Sequence, residues 1–304
     1  YIFAGATNGL YVSTDGGMNW TFSSLSNKDV LSIETSNNIV LAGVNYGGAY
    51  LSTDYGLSWI QIFVNDYCVN AIKITGNNIL AGTSFLGMFI SSNNGSNWTK
   101  TDLSAWDVYG LTANNENIYA GIWAGGVYNS SNNGTEWLPI GMNTQYPTGS
   151  SYIQCITSLN NNIVIGTNAT GILKTTNNGL NWIQTTLTSQ CVLALLTNGD
   201  TIYAGCKNWH DDGGIYKSTD GGLSWGMTSF NHNDALSILI NGNKMFVGTG
   251  YHGVYYSSNN GINWVKTPFP TEQHTVYTLA LKGNNIYAGT GRAIYLSTND
   301  GNNW

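Results

Sequence analysis

Charged side chains are scarce in this chain, and arginine is the extreme case, with a single residue, Arg292. Only 9% of the 304 residues are Asp, Glu, Lys or Arg, and the formal net charge is -6. A protein that follows a nucleic-acid backbone needs a surface rich in Lys and Arg. The composition therefore excludes nucleic acid as a partner, and neutral polar residues must provide solubility.

Long apolar runs are also missing. No stretch approaches the 18 consecutive apolar residues that a membrane-spanning helix requires, so no membrane insertion is expected. The chain does not start with the charged and then apolar segment of a secretory signal. Its first residues, 1–5, match the middle of a later repeat at 286–289, which predicts a chain truncated at both ends.

Cysteines are few, and their spacing fits neither a CxxC pair nor a zinc motif. The four are Cys68, Cys155, Cys191 and Cys206. Small buried thiols are the first expectation. The alternative is a cross-strand disulfide: a turn at Asn198-Gly199 would pair Thr197 with Asp200 and place Cys191 opposite Cys206.

Repetition is what the chain has in abundance. A Ser/Thr-x-Asp/Asn-x-Gly-x-x-Trp box occurs eight times, at intervals of 39 to 45 residues. The boxes end at Trp20, Trp59, Trp98, Trp137, Trp182, Trp225, Trp264 and Trp304. This interval is the length of one four-stranded blade of a β-propeller. We therefore predict an all-β fold, a single propeller domain over residues 1–304, with a box in each turn between strands C and D.

The four strands of a blade, A to D, are clearest in the seventh copy, where we predict them at 235–240, 244–249, 253–258 and 263–267. The first apolar residue of strand A lies 12 positions before the residue that precedes the strand-B glycine, as Val30 does with Ala42. The whole chain has seven A, eight B, eight C and seven D strands by this pattern. Eight blades are favoured, with strand A of the first blade missing, and seven blades with an overhang remain the alternative.

The box is expected to serve folding. Its acidic or amide oxygen accepts backbone N–H groups in the turn, its glycine permits the turn, and its tryptophan packs between strands. Five copies have Asn in place of Asp, at Asn93, Asn132, Asn177, Asn259 and Asn299. Asn keeps the acceptor and removes the charge, so neither metal binding nor proton transfer is the general purpose of this position. No cofactor is predicted.

On boxes such as Ser13 to Trp20, Ser52 to Trp59 and Ser218 to Trp225, the chain resembles the bacterial neuraminidase or Asp-box repeat proteins. The resemblance covers the whole chain and implies a β-propeller. That family includes sialidases, xyloglucanases, sortilin-type receptors, photosystem assembly factors and secreted bacterial proteins without assigned activity. The resemblance therefore implies the fold and says little about function.

Departures from the repeat concentrate in the B-to-C and D-to-A loops, which we predict to lie at the end of the propeller opposite the boxes. All four histidines, the arginine and the three tryptophans outside the boxes fall there, and Tyr46 and Phe85 add aromatic rings. The predicted ligand-binding residues are Trp209, His210, Asp211, His232, Asp234, Tyr251, His252, His274 and Arg292, with Trp106 and Trp123 as a second aromatic platform. Loops that simply tolerate variety are the alternative explanation.

Metal binding is a narrower hypothesis for the same loops. Some of the four histidines would combine with Asp211, Asp212, Asp234 or Glu272. No HxH or HExxH spacing supports such a site, and no metal is predicted.

Sialidases and xyloglucanase-like hydrolases are the two enzyme classes to compare with this sequence. A sialidase holds its substrate carboxylate with three arginines, and one arginine cannot do so. A xyloglucanase-like hydrolase needs two carboxylates around the glycosidic bond, for which Asp107, Asp211, Asp212 and Asp234 are candidates. That family, however, places its cleft between two propellers, and no GxSxG nucleophile motif is present either. We predict that the protein is not an enzyme.

The prediction for function is a non-catalytic recognition module, extracellular or on the cell surface, which binds a glycan. A structural or adhesive propeller that binds a surface protein is the first alternative, and a glycoside hydrolase is the second. The sequence leaves the oligomeric state open.

Overall fold

The computed structural model describes residues 1–63, 67–104, 107–113, 117–123, 126–140, 153–159, 162–207, 213–231, 233–270 and 275–304. Within these ranges the chain forms 30 strands in eight successive antiparallel sheets. Two compact units divide the chain, Tyr1–Gly149 and Ser150–Trp304, and each unit contains four sheets. None of the described segments is a helix long and apolar enough to cross a bilayer.

The first unit holds blades 1 to 4. Blade 1 consists of β1 (Ile2–Ala6), β2 (Gly9–Ser13) and β3 (Thr21–Ser26). Blade 2 consists of β4 (Val30–Ser36), β5 (Ile39–Val44), β6 (Gly48–Ser52) and β7 (Ile60–Phe63). Blade 3 consists of β8 (Val69–Thr75), β9 (Asn78–Thr83), β10 (Gly87–Ser91) and β11 (Thr99–Lys100). Blade 4 consists of β12 (Val108–Ala113), β13 (Ile118–Ile122), β14 (Gly126–Ser130) and β15 (Leu138–Pro139).

The second unit holds blades 5 to 8. Blade 5 consists of β16 (Ile153–Leu159), β17 (Asn162–Thr167), β18 (Ile172–Thr175) and β19 (Ile183–Gln184). Blade 6 consists of β20 (Val192–Asn198), β21 (Thr201–Cys206), β22 (Gly214–Ser218) and β23 (Gly226–Asn231). Blade 7 consists of β24 (Ala235–Asn241), β25 (Lys244–Thr249), β26 (Val254–Ser257) and β27 (Val265–Lys266). Blade 8 consists of β28 (Val276–Lys282), β29 (Asn285–Thr290) and β30 (Ile294–Ser297).

Every sheet follows the chain order from A to D, so these sheets are blades of a β-propeller and the predicted fold class is confirmed. The predicted strands of blade 7 differ from β24 to β27 by at most two residues at either end. Blade 1 has strands B, C and D, and blade 8 has strands A, B and C, as the count of 30 strands requires. Eight blades are therefore observed. The single domain over residues 1–304 stays a prediction.

The box forms the same hydrogen bonds in all eight copies. Its first residue, Ser or Thr, accepts the N–H of the box glycine, and its Asp or Asn oxygen accepts the N–H of the residue before tryptophan. In blade 2, Gly56 donates to Ser52 Oγ over 2.7 Å and Ser58 donates to Asp54 Oδ1 over 2.9 Å. The bonds to the Asp or Asn oxygen are those that the sequence predicted, the bonds to the Ser or Thr hydroxyl are additional, and both close the C-to-D turn.

The residue before the box glycine has a left-handed backbone in every copy. These residues are Gly16, Tyr55, Asn94, Asn133, Asn178, Gly221, Asn260 and Asp300. Gly and Asn tolerate this conformation better than other residues, which explains why they predominate. The two exceptions have compensating contacts, because Tyr55 stacks on Tyr1 at a centroid distance of 4.3 Å and Asp300 pairs with Lys244 over 2.6 Å.

Within each compact unit, neighbouring blades meet at the strand-B glycine. A Cβ built on Gly82 would lie 2.6 Å from Cγ1 of Val108, and one on Gly248 would lie 2.7 Å from Cγ1 of Val276. Only glycine leaves room for the first residue of the next strand A, so this contact accounts for the constant spacing between strand A and that glycine.

Box tryptophans make the second contact between blades, against strand D of the preceding blade. Trp98 packs on Phe63 at a centroid distance of 5.0 Å, and its indole N–H donates to the carbonyl of Ile62 over 2.7 Å. Trp264 lies in the same way against Phe230, at 5.2 Å. The predicted packing role of the tryptophan is confirmed, since the ring fills the space between adjacent sheets.

The hairpin between β20 and β21, which was predicted to place Cys191 opposite Cys206, has a different register. Its central turn residues are Gly199 and Asp200, so Asn198 pairs with Thr201, and Thr197 with Ile202 rather than with Asp200. Gly199, with φ of 55°, takes the first turn position, which shifts the register. A bulge between Val192 and Ala194 shifts the register once more, so Val192 lies opposite Cys206 where Cys191 was expected, and all four cysteines are free thiols.

Candidate functional site

Each blade has two ends that are built differently. The end with the A-to-B and C-to-D turns is here named the turn end, where for example Asn38 Nδ2 donates to the Thr53 carbonyl over 2.6 Å. The end with the B-to-C loop and the start of strand A is named the loop end. There the first loop residue donates its N–H to the carbonyl of the residue before strand A, as Trp123 does to Asp107 over 2.9 Å. The predicted grouping of loops is confirmed within these blades.

A β-bulge near the start of strand A is the main feature of the loop end. In blade 4, Val108 pairs with Ile122 and Gly110 with Gly121, which leaves Tyr109 unpaired between them. Every strand A in the described chain has this bulge, and the bulged residues are Leu31, Asn70, Tyr109, Gln154, Leu193, Leu236 and Tyr277. A bulge turns a side chain away from the regular alternation of the strand.

The sequence predictions did not include the bulged residues. A signal for them exists, since each one follows an apolar residue and precedes a small one, as in Val69-Asn70-Ala71. A pattern of period two does not reveal one extra residue, so this signal becomes readable only when the copies are aligned on the strand-B glycine.

The bulged side chain lies beside the first residue of the B-to-C loop, 14 positions later. Asn70 Nδ2 donates to Ser84 Oγ over 3.0 Å in blade 3. In blade 4 the rings of Tyr109 and Trp123 lie 5.2 Å apart at an interplanar angle of 35°. Trp123 was predicted as an aromatic platform, and the structure gives it a second ring.

Three aromatic residues occupy the same position in the B-to-C loops of blades 2, 3 and 7. Tyr46, Phe85 and Tyr251 are 74%, 69% and 68% exposed, and their φ angles are 47°, 64° and 66°. Bulky residues disfavour this left-handed backbone, and exposed rings contribute little burial to the fold. Folding therefore gives no reason for an aromatic residue at these positions.

The acids before strand A hold the loops in place. Asp107 Oδ1 accepts the N–H of Phe85 over 2.6 Å, which joins blade 4 to the loop of blade 3. Asp29 Oδ2 accepts a bond from Asn45 Nδ2 over 3.3 Å. In blade 7, Asp234 approaches Gly250 so closely that a Cβ there would lie 2.9 Å from Oδ2. Asp107, a candidate catalytic acid in the sequence, thus supports an aromatic loop residue.

Asp107 also affects the neighbouring Tyr109. Burial raises the pKa of the Tyr109 phenol, and the negative charge of Asp107 adds to this effect. Tyr109 is consequently neutral at physiological pH and offers both a hydroxyl donor and a ring face.

Five of the predicted site residues lie in the described chain. Tyr251 and His252 are exposed in the B-to-C loop of blade 7, and Arg292 is exposed in that of blade 8. Trp123 lies beside Tyr109, and Asp234 lies beside Gly250. The other six lie outside the described residues: Trp106, Trp209, His210, Asp211, His232 and His274. Convergence of the full set on one face stays a prediction.

Most residues of the metal hypothesis also lie outside the described part of the chain. Of its members, only His252 and Asp234 lie in the described chain, and Asp212 and Glu272 are outside it with the remaining histidines. Among described residues, no three His, Cys, Asp or Glu side chains are grouped in a way that could hold a metal ion.

A cavity of about 360 Å³ opens at the outer edge of blades 6 and 7. It lies between strand β23 and the box turn of blade 7, and Lys217, Met227 and Ile262 contribute to its wall. These residues belong to strands C and D and to a turn, so this cavity is separate from the loop end.

Comparison with known proteins gives the fold and no closer relationship. No protein-family model matches the chain, and no curated protein matches it in sequence. The computationally designed protein Ika8 is similar in structure, with a TM-score of 0.79 and 14% identity over 97% of this chain and 92% of that one.

Two natural propellers are also similar. YCF48 from Cyanidioschyzon merolae has a TM-score of 0.62 and 17% identity over 88% of this chain and 94% of its own, and YCF48 bound to D1 peptide matches as well. The GH74 xyloglucanase from Xanthomonas campestris has a TM-score of 0.60 and 14% identity, and the match covers 95% of this chain but 55% of the enzyme. Identities this low show a shared propeller fold and nothing finer.

Proposed function

We propose that this chain is a non-catalytic recognition propeller, secreted or on the cell surface, that binds a glycan at its loop end. The observation that carries the proposal is the set of exposed aromatic rings on left-handed loop positions, Tyr46, Phe85 and Tyr251. An aromatic residue that strains the backbone and stays exposed does not help folding, so we assign these rings to contact with a ligand.

A glycan fits this surface by its chemistry. Sugar rings have apolar faces that stack on aromatic side chains, and their hydroxyls bond to amides, hydroxyls and phenols. The Tyr109 and Trp123 pair supplies two ring faces, and Asn70 and Ser84 of the adjacent blade supply an amide and a hydroxyl. The resemblance to Asp-box proteins, many of them secreted, supports the proposed location.

Binding without catalysis is favoured by what the loop-end acids do. Hydrolysis of a glycoside requires two carboxylates that face the scissile bond. Asp107 and Asp29 instead direct their oxygens to groups of neighbouring loops. The chain also spans about half the length of the similar xyloglucanase, so that enzyme's activity does not transfer to it.

Affinity electrophoresis in gels that contain soluble polysaccharides tests this proposal, together with a glycan array to find ligands without bias. Phe85→Ala and Trp123→Ala should each weaken retention by roughly tenfold, since a stacked ring contributes about 1 kcal/mol or more. Ile60→Ala is the matched control, because Ile60 is 69% exposed like Phe85 but lies on strand D. Equal retention of Phe85→Ala, Trp123→Ala and wild type would contradict the proposed site.

Protein binding is the second candidate, and a different surface favours it. Exposed apolar residues recur at the box and the start of strand D, in the pairs Leu57 and Ile60, Leu180 and Ile183, and Ile262 and Val265. Repeated exposed apolar side chains often mark protein contacts. Light scattering after size exclusion would show self-association if the partner is a second copy, and Ile60→Lys should then reduce the measured mass.

A further inference from the structure

We infer that the bulged residue of strand A and its partner 14 positions later act as a two-residue unit that sets ligand specificity in each blade, and that the ligand is a neutral polysaccharide. This inference rests on the proposed function, because it specifies which glycan the loop end binds and which side chains select it.

Residues on either side of the bulge are fixed by packing. Within each unit the residue before it packs against the strand-B glycine of the preceding blade, as Val108 does against Gly82. The residue after it faces the glycine of its own blade and must be small, as Ser237 is beside Gly248, where a Cβ would lie 2.7 Å from Oγ. Neither position can vary without disturbing the contact between blades.

The bulged residue itself has no such restriction. Leu31, Tyr109 and Tyr277 are 47%, 46% and 63% exposed. The seven copies include leucine, asparagine, glutamine and tyrosine at this single position. Side-chain chemistry can therefore change here while the fold stays constant, which is what a specificity position requires.

In blades 3 and 4 the bulged residue and its partner have matched chemistry. Asn70 and Ser84 make an amide–hydroxyl pair, and Tyr109 and Trp123 make an aromatic pair. These two pairs lie on neighbouring strands, since β8 contacts β12, and the bond from Phe85 to Asp107 ties their loops together. Blades 3 and 4 thus present a hydrogen-bonding group next to a stacking platform, the combination that a sugar ring needs.

Charge selects the class of glycan. The seven pairs are Leu31 and Asn45, Asn70 and Ser84, Tyr109 and Trp123, Gln154 and Asn168, Leu193 and Lys207, Leu236 and Gly250, and Tyr277 and Gly291. Lys207 is the one charged residue among these 14 positions. Uronic acids and sulfated sugars need several cations for tight binding, so a neutral polysaccharide is the ligand that these positions fit.

The test measures retention in native gels that contain xyloglucan, glucomannan or mixed-linkage β-glucan as neutral polysaccharides, and polygalacturonate or alginate as acidic ones. Wild type should be retained by at least one neutral polymer and by neither acidic polymer. Tyr109→Ala should weaken that retention by roughly tenfold. Asn70→Asp should weaken it by about the same factor, because the amide donor is lost and a charge is added.

Controls separate specificity from folding. Asn181→Asp makes the same chemical change as Asn70→Asp at an exposed turn-end position and should leave retention unchanged. Tyr109→Phe keeps the ring and should retain most of the binding. All four variants should have the urea midpoint of the wild type, because Tyr109 and Asn181 are exposed and Asn70 is only half-buried.

Each of the other outcomes would contradict a different part of this inference. Retention of wild type with no effect of Tyr109→Ala and Asn70→Asp would reject the bulge pairs and leave glycan binding intact. Retention by an acidic polymer alone would reject the neutral class and leave loop-end recognition standing. Failure of every polymer and every arrayed glycan to bind wild type would reject the proposed function and, with it, this inference.

Discussion

The two ends of a blade repeat in different ways. At the turn end both the backbone and the side chains recur, since all eight boxes form the same hydrogen bonds and the same left-handed step. At the loop end the backbone recurs, with seven bulges in the described strands, but the side chains at the bulge differ from blade to blade. Turn-end polar groups are mostly bonded within the box, whereas the exposed loop-end side chains are the ones that we propose for ligand contact.

The difference separates positions that serve the fold from positions that are free to serve the proposed function. A box hydroxyl such as Ser52 Oγ is buried and already bonded, so it has no capacity left for a ligand. A loop residue such as Phe85 is exposed on a strained backbone. Mutations should therefore affect stability at one end and binding at the other.

The largest expected effect is at a turn-end glycine. Gly95 has φ of 83°, and a Cβ there would lie 2.6 Å from Cδ1 of Ile62. Gly95→Ala combines backbone strain with a steric clash and should lower the unfolding free energy by about 3 kcal/mol. Gly76→Ala is the control, because Gly76 also has positive φ but nothing lies within 4 Å, and it should cost roughly 1 kcal/mol. Urea unfolding of both variants gives the comparison, and equal losses would reject the packing contact.

The next effect concerns the buried box hydroxyl. Ser91 Oγ accepts the N–H of Gly95 over 2.8 Å and donates to Asn93 Oδ1 over 3.0 Å. Ser91→Ala leaves the glycine N–H without its partner and should cost about 2 kcal/mol. Ser96→Ala changes an exposed serine of the same turn and should stay within about 0.5 kcal/mol of wild type. A chemical denaturation midpoint for Ser91→Ala no lower than that of Ser96→Ala would show that the Ser91 hydroxyl does not stabilise the turn.

Acid should weaken the boxes that carry Asp and spare those that carry Asn. Hydrogen bonds from Asn19 lower the pKa of Asp15 from 3.8 to about 2, and bonds from Ser58 do the same for Asp54. A pKa lowered by folding stabilises the protein above pH 4 and loses that contribution as the pH falls towards 2.

The double variant Asp15→Asn/Asp54→Asn measures this term. Its stability difference from wild type should be greatest above pH 4 and should disappear near pH 2, as followed by thermal unfolding across this range. The reverse change, Asn93→Asp, should add the same pH dependence to blade 3. A difference that stays constant from pH 7 to pH 2 would show that the box carboxylates are not stabilised by these bonds.

The turn end was predictable from sequence because side chains there obey a rule in every copy. The box, strands A to D and the incomplete first and last blades all follow from counting residues between tryptophans. The register of the hairpin between β20 and β21 was not predicted correctly, since Asn198-Gly199 and Gly199-Asp200 are both acceptable turns by composition. One glycine conformation decides between them, and the sequence does not display it.

The loop end was predictable in location and not in detail. Rare residues such as Trp123 and Tyr251 marked it, but Tyr109 and Asn70 were not singled out because they sit inside a strand of ordinary appearance. Asp107 was interpreted as a candidate acid, and its partner proved to be the N–H of Phe85 in another blade. Contacts between blades of this kind depend on the three-dimensional arrangement and leave no local pattern.

The central claim is that the aromatic loop residues are kept for binding and not for folding. The free energy of unfolding of the triple variant Tyr46→Asn/Phe85→Asn/Tyr251→Asn tests it without any knowledge of the ligand. Asn tolerates the left-handed backbone, so the variant should be more stable than wild type by about 1 kcal/mol or more. A loss of about 1 kcal/mol or more would contradict the claim, because the three rings would then be part of the fold.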